Sequence, residues 1–427
     1  MRILLWHGYL LGGTGSNVYT RSLAREWSHA GHEVVVVCQE REPEQYDLGG
    51  AQVINPELPG GLLPVFVLDR YAGLEPRLLQ DLTVAEREAF VEANATVLRG
   101  LLPADLVFAN HVLLGAPVGA AVGVPFRVKA HGSELEYSMR GRPELRRWAA
   151  ETLADADVTY VGSAHIRTVL EEVVGHVDRV VEVPPGVDVD EFVFEERGAA
   201  LDSLLAEARR DPPNPDHAEE RLPDPGNADR FAEFFATDRP TVVYFGKLIE
   251  QKGVQILLEA MKTLDARLVV VGFGPYRSTL EELAPAGTLF TGPLEHRHLV
   301  HLLPLADVTV VPSIFPEAFG MVAAEAAAAG SPPLVAAHSG LAEVAAGLEA
   351  SYPERFRGLA SFEPGNAADL VTKLNRILTL SRADHDELRD AARRAVVERW
   401  SWSSVAERLL EPVTHEPGSQ GEPGSRV

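Results

Sequence analysis

The chain has 427 residues, 46% of them hydrophobic and 24% charged, and its formal net charge at pH 7 is −23. This composition excludes a chain that is disordered throughout, and the length exceeds what one hydrophobic core supports, so we expect two domains with a cleft between them. The negative charge argues against binding to nucleic acid, whose phosphates require a basic surface, and against broad adhesion to anionic lipid.

In the first part of the chain, short apolar runs of strand length alternate with longer helical patterns. The first helical pattern is residues 17–30, and the apolar runs are residues 3–6, 34–38, 106–108, 126–130 and 159–162. Such alternation predicts a parallel sheet covered by helices on both faces. We therefore predict an α/β N-terminal domain over residues 1–190.

The apolar segments of this domain do not predict export or a membrane span. Residues 1–6 are typical of a first strand, and the stretch 112–126 is broken by glycine and proline and falls short of the ~20 residues of a spanning helix. The single cysteine, Cys38, suits a reducing compartment. We predict a cytoplasmic protein with at most peripheral membrane contact. Four arginines within residues 140–147 either meet an anionic acceptor or lipid head group or form a solvated helix face.

The alternation stops after residue 188 and resumes at residue 241. Residues 191–240 are acidic and proline-rich with one predicted helix at 199–209, and we interpret them as an insertion or linker that is an acceptor platform, a lid or an inert addition. A second α/β domain is predicted over residues 241–398, with apolar runs at 241–245, 268–271, 288–290, 308–311 and 334–336. We expect residues 399–412 to form a helix that crosses back to the first domain, and residues 413–427 to be disordered.

Two lysines follow the first strand of the second domain. Residues 244–253 form a strand that runs into a glycine turn, and Lys247 and Lys252 emerge from the loop at its carboxyl end. Ligands of open α/β sheets bind at that edge, although an ordinary surface loop also carries lysines. The two ammonium groups can face a diphosphate.

Two glutamates eight positions apart follow a later strand. Glu317 precedes a predicted helix, and Glu325 lies about one turn inside it. Their carboxylates can accept hydrogen bonds from sugar hydroxyls at two places on one ligand, although Glu317 could instead merely offset the helix dipole. Unpaired amides at the start of the helix can bind phosphate or sugar oxygens; they belong to Phe319, Gly320, Met321 and Val322.

Two features of the first domain are expected to face the same ligand. The glycine loop at residues 12–17 joins the first strand to the first helix, so its amides can approach a diphosphate, although it lacks Walker spacing and only loosely echoes a dinucleotide fingerprint. His131 follows the strand-length run 126–130 and is expected to face the cleft. A histidine at a strand end is otherwise more often a satisfied hydrogen-bonding residue.

Together and in this order, these motifs resemble the retaining glycosyltransferases of family 4, which have the architecture called GT-B. The segments that carry the resemblance are 12–17, 30–34, 130–134, 185–188, 246–253, 312–330 and 339–343. The resemblance implies an α/β fold of two Rossmann-like domains with doubly wound parallel sheets that face each other across a cleft. It also implies two substrates, a nucleotide-sugar donor and an acceptor hydroxyl on a sugar, a lipid-linked sugar or a small molecule.

The resemblance implies roles for residues of the second domain. Lys247 and Lys252 hold the donor diphosphate, and the helix-start amides assist them. Glu317 binds hydroxyls of the transferred sugar, whereas Glu325 binds the ribose hydroxyls.

The resemblance also implies roles for residues of the first domain. Gly15 contacts phosphate, Asn17 lies towards the acceptor, and His131 sits under the donor sugar near its anomeric carbon. We therefore predict that the catalytic residues are His131, Lys252 and Glu317.

Two residues depart from the usual pattern of this family, apart from the acidic insertion. Lys247 stands where arginine is usual, which keeps the charge but loses a bidentate phosphate contact, and Ser339 replaces a customary glycine. Two Asp-x-Asp triplets, at residues 155–157 and 188–190, invite a metal interpretation. Because the lysines already supply countercharge for a diphosphate, we predict no metal and no cofactor.

Breaking a glycosyl–phosphate bond develops negative charge on the departing diphosphate, so fixed positive charge should dominate catalysis. The resemblance suggests a front-face route with retention, in which the acceptor hydroxyl passes its proton to the leaving phosphate oxygen. We expect a UDP-, GDP- or ADP-linked hexose donor, with UDP favoured. The alternatives are a nucleotide-sugar epimerase, a glycoside phosphorylase and a nonenzymatic nucleotide-sugar binding protein.

Overall fold

The computed structural model describes residues 1–12, 15–66, 73–212 and 225–412. The predicted disordered tail, residues 413–427, lies outside the described residues, as do Gly13 and Thr14 of the glycine loop. Each half of the chain contains one large open parallel sheet.

The N-terminal half is built on a seven-stranded parallel sheet. Its strands are β1 (Arg2–Trp6), β2 (Glu33–Val37), β3 (Gln52–Ile54), β6 (Leu106–Asn110), β7 (Phe126–Lys129), β8 (Val158–Val161) and β9 (Val180–Glu182), while β4 (Leu62–Val65) and β5 (Glu75–Leu78) form a separate parallel pair. The helices are α1 (Gly15–His29), α2 (Val84–Gly100), α3 (Gly115–Val122), α4 (Pro143–Leu153) and α5 (Ala164–Val173). The strand order is β3-β2-β1-β6-β7-β8-β9, so the order reverses between β1 and β6.

Both faces of this sheet are buried. Leu4 and Trp6 of β1 enter a core shared with α2 to α5, whereas Ile3 and Leu5 enter a second core shared with α1. Because both faces exclude water, the strands are continuous apolar runs rather than alternating ones. This is why their positions could be predicted closely.

The C-terminal half is built on a six-stranded parallel sheet. Its strands are β10 (Thr241–Phe245), β11 (Arg267–Val271), β12 (Thr288–Gly292), β13 (Val308–Val311), β14 (Pro333–Ala336) and β15 (Ser361–Phe362). The helices are α6 (Arg197–Ala208), α7 (Asn227–Phe234), α8 (Val254–Met261), α9 (Arg277–Leu283), α10 (His296–Leu302), α11 (Met321–Ala328), α12 (Ser339–Glu349), α13 (Ala367–Leu378), α14 (Arg382–Trp400) and α15 (Trp402–Leu410). The order β12-β11-β10-β13-β14-β15 reverses between β10 and β13, as in a doubly wound sheet.

The described part of residues 191–240, which we interpreted as an insertion or linker, packs on the C-terminal domain. Helices α6 and α7 bury Leu204 and Phe231 completely in the C-terminal core. Arg297 of α10 forms an ion pair with Asp211 just after α6. The predicted helix at 199–209 corresponds to α6, whereas α7 was not predicted.

The chain returns to the N-terminal domain at its last helix. Trp400, at the end of α14, lies in the C-terminal core, while Trp402 lies in the N-terminal core beside α1. Trp27 donates a hydrogen bond from Nε1 to the carbonyl oxygen of Ala406 at 3.0 Å. The indole of Trp402 packs so closely on Gly186 that a Cβ there would approach it to 2.4 Å.

Among the helices of the described residues, none combines the length and apolar character that a membrane crossing needs.

Candidate active site

Lys252 and Glu317 meet at the carboxyl edge of the C-terminal sheet. The ammonium of Lys252 forms a short ion pair with the carboxylate of Glu317, and both side chains are half-buried. The loop that carries Lys252 is fastened to the segment that precedes Glu317, because Ile314 donates its amide to the carbonyl of Gln251 at 2.9 Å. The two predicted residues are therefore brought together before any ligand binds.

The segment around Glu317 is held from the first turn of α12. The amide of Glu317 donates to Ser339 Oγ at 2.9 Å, and the amide of Gly340 donates to the carbonyl of Glu317 at 3.0 Å. Ser339 has a φ of +48°, a left-handed conformation that favours glycine. Its hydroxyl offsets this strain with a hydrogen bond that glycine cannot make, which explains how serine is accommodated at a customary glycine position.

The amides at the start of α11 form an anion-binding arrangement. Within the described part of the chain, the amides of residues 319–322 donate to no protein acceptor. Gly320 has a φ of +124°, which turns the backbone into the helix at this point. The ring of Phe319 packs edge-on against Trp400 at 5.5 Å, so Phe319 has only its backbone to offer a ligand. Met321 and Val322 are half-buried.

Glu325 lies one turn into α11. Burial raises the pKa of its carboxyl to about 7, an effect that the nearby imidazole of His296 opposes. His296, at the start of α10, pairs through Nε2 with Glu191 at 2.5 Å and packs its ring against Phe192 at 4.5 Å. We did not predict His296, because only the folded chain brings α10 beside α11.

Lys247 lies on the loop after β10, and its side chain is exposed. Its backbone is fixed, because the hydroxyl of Tyr244 donates to the carbonyl of Lys247 at 2.8 Å. Burial, aided by the charge of Glu317, raises the pKa of Tyr244, which keeps this hydroxyl a donor. Lys247 is therefore an exposed side chain on an anchored loop, in contrast to Lys252, which is paired with Glu317.

On the N-terminal domain, three histidines converge at the carboxyl ends of three strands. His7 follows β1, His111 follows β6 and His131 follows β7, with ring centroids 5.8 Å apart for His7 and His111 and 4.6 Å apart for His111 and His131. We predicted only His131, although the other two carry the same signal of a histidine after a buried strand.

A hydrogen-bond network sets the tautomer of His131. Asn110 uses its amide nitrogen to donate to Thr20 Oγ1 at 3.2 Å, so its Oδ1 accepts from Nε2 of His131 at 2.8 Å. Burial, followed by the charge of His111, lowers the pKa of His131 well below its usual range. His131 is therefore a neutral imidazole with its free lone pair on Nδ1.

The buried carboxylate of Glu134 ties these histidines together. It accepts from the amide of His131 at 2.9 Å and from His111 Nδ1 at 3.4 Å. Burial alone would raise the pKa of Glu134, but His111 and the amide hydrogen bonds hold it below its usual range. Glu134 thus positions the loops that end β6 and β7.

The described residues of the glycine loop, 12 and 15–17, lie at the same edge. Gly15 is the first residue of α1 and is exposed. The buried side chain of Asn17 accepts at Oδ1 from His7 Nε2 at 2.9 Å and donates from its amide nitrogen to the carbonyl of Gly12. The side chain of Asn17 is thus hydrogen-bonded inside the domain, where it joins Gly12 to the residue after β1; the position of Asn17 towards the acceptor stays a prediction.

Other charged residues singled out in the sequence are engaged in local structure. Asp188 of the second Asp-x-Asp triplet pairs with Arg25 at 2.7 Å. In the basic run, Arg140 pairs with Glu136, and Arg146 donates to a backbone carbonyl. The described residues contain no group of three or more His, Cys, Asp or Glu side chains placed to hold a metal ion.

Comparison with known proteins identifies the family. The profile described as "Glycosyl transferase 4-like domain" matches residues 14–186, and the profile described as "Glycosyl transferases group 1" matches residues 227–395. An uncharacterized glycosyltransferase of Methanocaldococcus jannaschii is 30% identical over 182 residues, which cover 40% of this chain and 44% of that protein. The GDP-mannose-dependent alpha-(1-6)-phosphatidylinositol monomannoside mannosyltransferase of Mycobacterium tuberculosis is 28% identical over 300 residues, covering 66% of this chain and 67% of that one.

Solved structures show the fold. Sucrose-phosphate synthase from Thermosynechococcus elongatus superposes with a TM-score of 0.66 at 22% identity over 96% of this chain and 97% of that one. HepE of Anabaena, solved in complex with UDP and glucose, gives 0.65 at 16% identity over 95% and 97%. These matches confirm the predicted GT-B architecture. With both halves matched by glycosyltransferase profiles, the chain belongs to the GT-B glycosyltransferases of the family 4 type.

Proposed function

We propose that the protein moves a hexosyl group from a nucleoside-diphosphate sugar to an acceptor hydroxyl, with retention of anomeric configuration and without a metal ion. The observation that carries this proposal is the Lys252–Glu317 pair beside the unpartnered amides of residues 319–322. An ammonium group and free amides suit a diphosphate, while a carboxylate within reach of both suits the hydroxyls of the sugar attached to it.

The donor is held along the carboxyl edge of the C-terminal sheet in this proposal. Lys252, Lys247 and the amides at the start of α11 stabilise the diphosphate as its negative charge grows during bond breaking. Glu317 binds the transferred sugar, and Glu325 binds the ribose hydroxyls. Gly15 brings the glycine loop to the diphosphate from the other domain.

The acceptor hydroxyl attacks on the face from which the diphosphate leaves and gives its proton to the departing phosphate oxygen. Neutral His131 supports this route, because its lone pair on Nδ1 can accept a hydrogen bond from a sugar hydroxyl but cannot donate a proton there. No carboxylate acts as a covalent nucleophile. The acceptor is a sugar, a lipid-linked sugar or a small molecule reached from the side of Asn17, and the reaction takes place in the cytoplasm.

UDP is the nucleotide that we propose, and GDP is the second candidate because the Mycobacterium tuberculosis relative is named GDP-mannose-dependent. A panel of UDP-, GDP- and ADP-hexoses, scored by thermal stabilisation, separates them. A donor at 100 times its Kd stabilises the native state by about 2.7 kcal/mol, which raises the melting temperature by several degrees. If no sugar nucleotide shifts the melting temperature, the proposal is wrong.

The same panel, incubated with a mixture of candidate acceptors, distinguishes the alternatives. A transferase releases nucleotide only when an acceptor is present. An epimerase returns an altered sugar nucleotide without an acceptor, a phosphorylase requires inorganic phosphate, and a binding protein shifts the melting temperature without any product.

Donor affinity should depend on pH through Glu325, whose pKa is raised to about 7. Only the ionised carboxylate accepts two hydrogen bonds from ribose, so donor binding should tighten about tenfold between pH 6 and pH 8. Calorimetric titration with the sugar nucleotide that stabilises the protein most measures this. The Glu325→Gln protein controls for other titrating groups, and a pH profile shared by both proteins would contradict the role of Glu325.

Stability should depend on pH in the opposite direction to donor affinity: the wild-type protein should become less stable as pH rises, and Glu325→Gln should not show this loss. Because the folded pKa lies above the unfolded value, wild-type stability falls as pH rises from about 4.5 to 7 and stays reduced above pH 7. Glu325→Gln should therefore melt a few degrees above wild type at pH 8 and match it near pH 4.5. Thermal melts of both proteins between pH 4.5 and pH 8 measure whether the variant becomes the more stable one as pH rises.

A further inference from the structure

A polar contact joins the two domains directly behind the donor loop, which we define as residues 317–322. Ser163, the residue before α5 of the N-terminal domain, donates its hydroxyl hydrogen to the carbonyl of Ala318 at 2.6 Å. Its oxygen also accepts from the amide of Ile166 at 3.2 Å, so the hydroxyl caps α5 as well. One side chain thus couples a helix of one domain to the donor loop of the other.

A carboxylate of the C-terminal domain completes the contact. Glu343 of α12 accepts from the amides of Ala164 and His165 at 3.0 and 3.1 Å, which are the first amides of α5. A carboxylate at a helix N-terminus is favoured both by these charge-assisted bonds and by the helix dipole. The start of α5 therefore obtains its partners from both domains.

The two residues act on one short segment of backbone. Helix α12, which carries Glu343, also holds the carbonyl of Glu317 through the amide of Gly340. Gly340 is packed so tightly that a Cβ there would lie 2.6 Å from the carbonyl oxygen of Ala318. A displacement of α5 would therefore be transmitted to the donor loop from both sides.

The contact borders an unfilled space between the domains. A cavity of about 450 Å³ lies next to the contact, between the two domains, with Ser163, Glu343, Phe319 and Trp400 among its lining residues. Packed apolar surfaces do not fill this space, so the hydrogen bonds of Ser163 and Glu343 stand at the margin of a gap. Such a contact can break and reform as the domains separate and close.

We propose that Ser163 and Glu343 are positioning residues that align the donor loop when the domains close. The inference rests on the proposed function, since it assigns these residues to the orientation of the donor site. Ser163 fixes the carbonyl of Ala318, and this sets the direction in which the following amides point. Glu343 keeps α5 in place to make that bond.

The deciding variant is Ser163→Asp. Aspartate is a good helix cap, so it preserves the bond from Ile166, but it cannot donate to the carbonyl of Ala318. We expect the Kd for UDP or GDP, whichever binds wild type, to rise about tenfold. Ser163→Thr, which retains the hydroxyl, should restore binding to within about twofold. Glu343→Gln, which weakens the bonds to α5, should shift the Kd in the same direction as Ser163→Asp.

Ser381→Ala is the matched control. Ser381 also caps a helix, α14, and both of its bonds stay at that helix end. Its loss removes a cap without touching the donor loop, so nucleotide affinity should not change. A Ser381→Ala protein that loses as much affinity as Ser163→Asp would show a general effect of stability and overturn the proposal.

Hydrogen exchange of the ligand-free protein provides a readout that does not depend on the donor. The amides of Ala323 and Ala324 donate to the carbonyl of Gly320, and they should exchange faster in Ser163→Asp than in wild type. Failure of every nucleotide to bind wild type would refute the proposed function, yet this exchange would still test the contact. Unchanged exchange together with unchanged affinity in Ser163→Asp would overturn the inference.

Discussion

Replacing Lys252 with alanine should lower the turnover number about 10²–10³-fold, as expected for the loss of a principal group that stabilises a leaving anion. Lys252 is the cation that the fold holds in place beside Glu317, whereas Lys247 is exposed. The loss should appear in turnover because the charge of the diphosphate grows during bond breaking. Steady-state release of nucleotide, at saturating donor and acceptor, measures the effect.

Two further variants make this result specific. Lys262→Ala removes an exposed lysine from just beyond α8, where it pairs with Glu259, and should leave turnover unchanged. Lys252→Arg keeps the charge and should recover part of the activity. The half-exposed pair of Lys252 with Glu317 contributes at most about 1 kcal/mol to stability, so the melting temperature should hardly move. A Lys252→Ala enzyme with wild-type turnover would remove this lysine from the mechanism.

The fold was predictable because its strands are buried on both faces. The run 3–6 became β1 (Arg2–Trp6), and the run 241–245 became β10 (Thr241–Phe245). A continuous apolar run between helical patterns has few other structural solutions in a chain of this length. Within the acidic stretch 191–240, the predicted helix 199–209 corresponds to α6 (Arg197–Ala208), but the composition did not indicate that this helix packs in the C-terminal core.

The donor side of the site was predictable for a related reason. Lys252 and Glu317 each follow a predicted strand, and the carboxyl ends of parallel strands share one edge of the sheet. The convergence of His7 and His111 with His131 has the same origin. It could have been predicted by placing the residues that follow every strand, and not only β7, at the shared carboxyl edge of the sheet.

The contacts between domains could not have been predicted in this way. Ser163 and Ala318 are 155 positions apart, and no periodicity links a helix cap in one domain to a loop in the other. The left-handed conformation of Ser339 also depends on its partner, the amide of Glu317. Such features come from tertiary packing, which local sequence patterns do not encode.

Replacing Gly253 with alanine should destabilise the protein by about 2–4 kcal/mol and loosen donor binding. Gly253 follows Lys252 directly and has a φ of +69°, where a side chain is disfavoured. A Cβ there would lie 1.9 Å from the carbonyl oxygen of Pro312, so the backbone itself must move. Because Pro312 leads into the segment that carries Glu317, this movement would separate Lys252 from its partner.

Gly365→Ala is the control that isolates the close approach of the two backbones. Gly365 has a similar φ of +76°, but no atom lies within 4 Å of the position of its Cβ. Its replacement should therefore cost only the strain of the left-handed conformation, about 1 kcal/mol, and leave donor affinity intact. Thermal melts and donor titrations of both variants give the comparison. Equal melting temperatures of the two variants would mean that the backbone at Pro312 moves aside at no cost in stability. The loop that carries Lys252 would then not be packed tightly against the segment that carries Glu317.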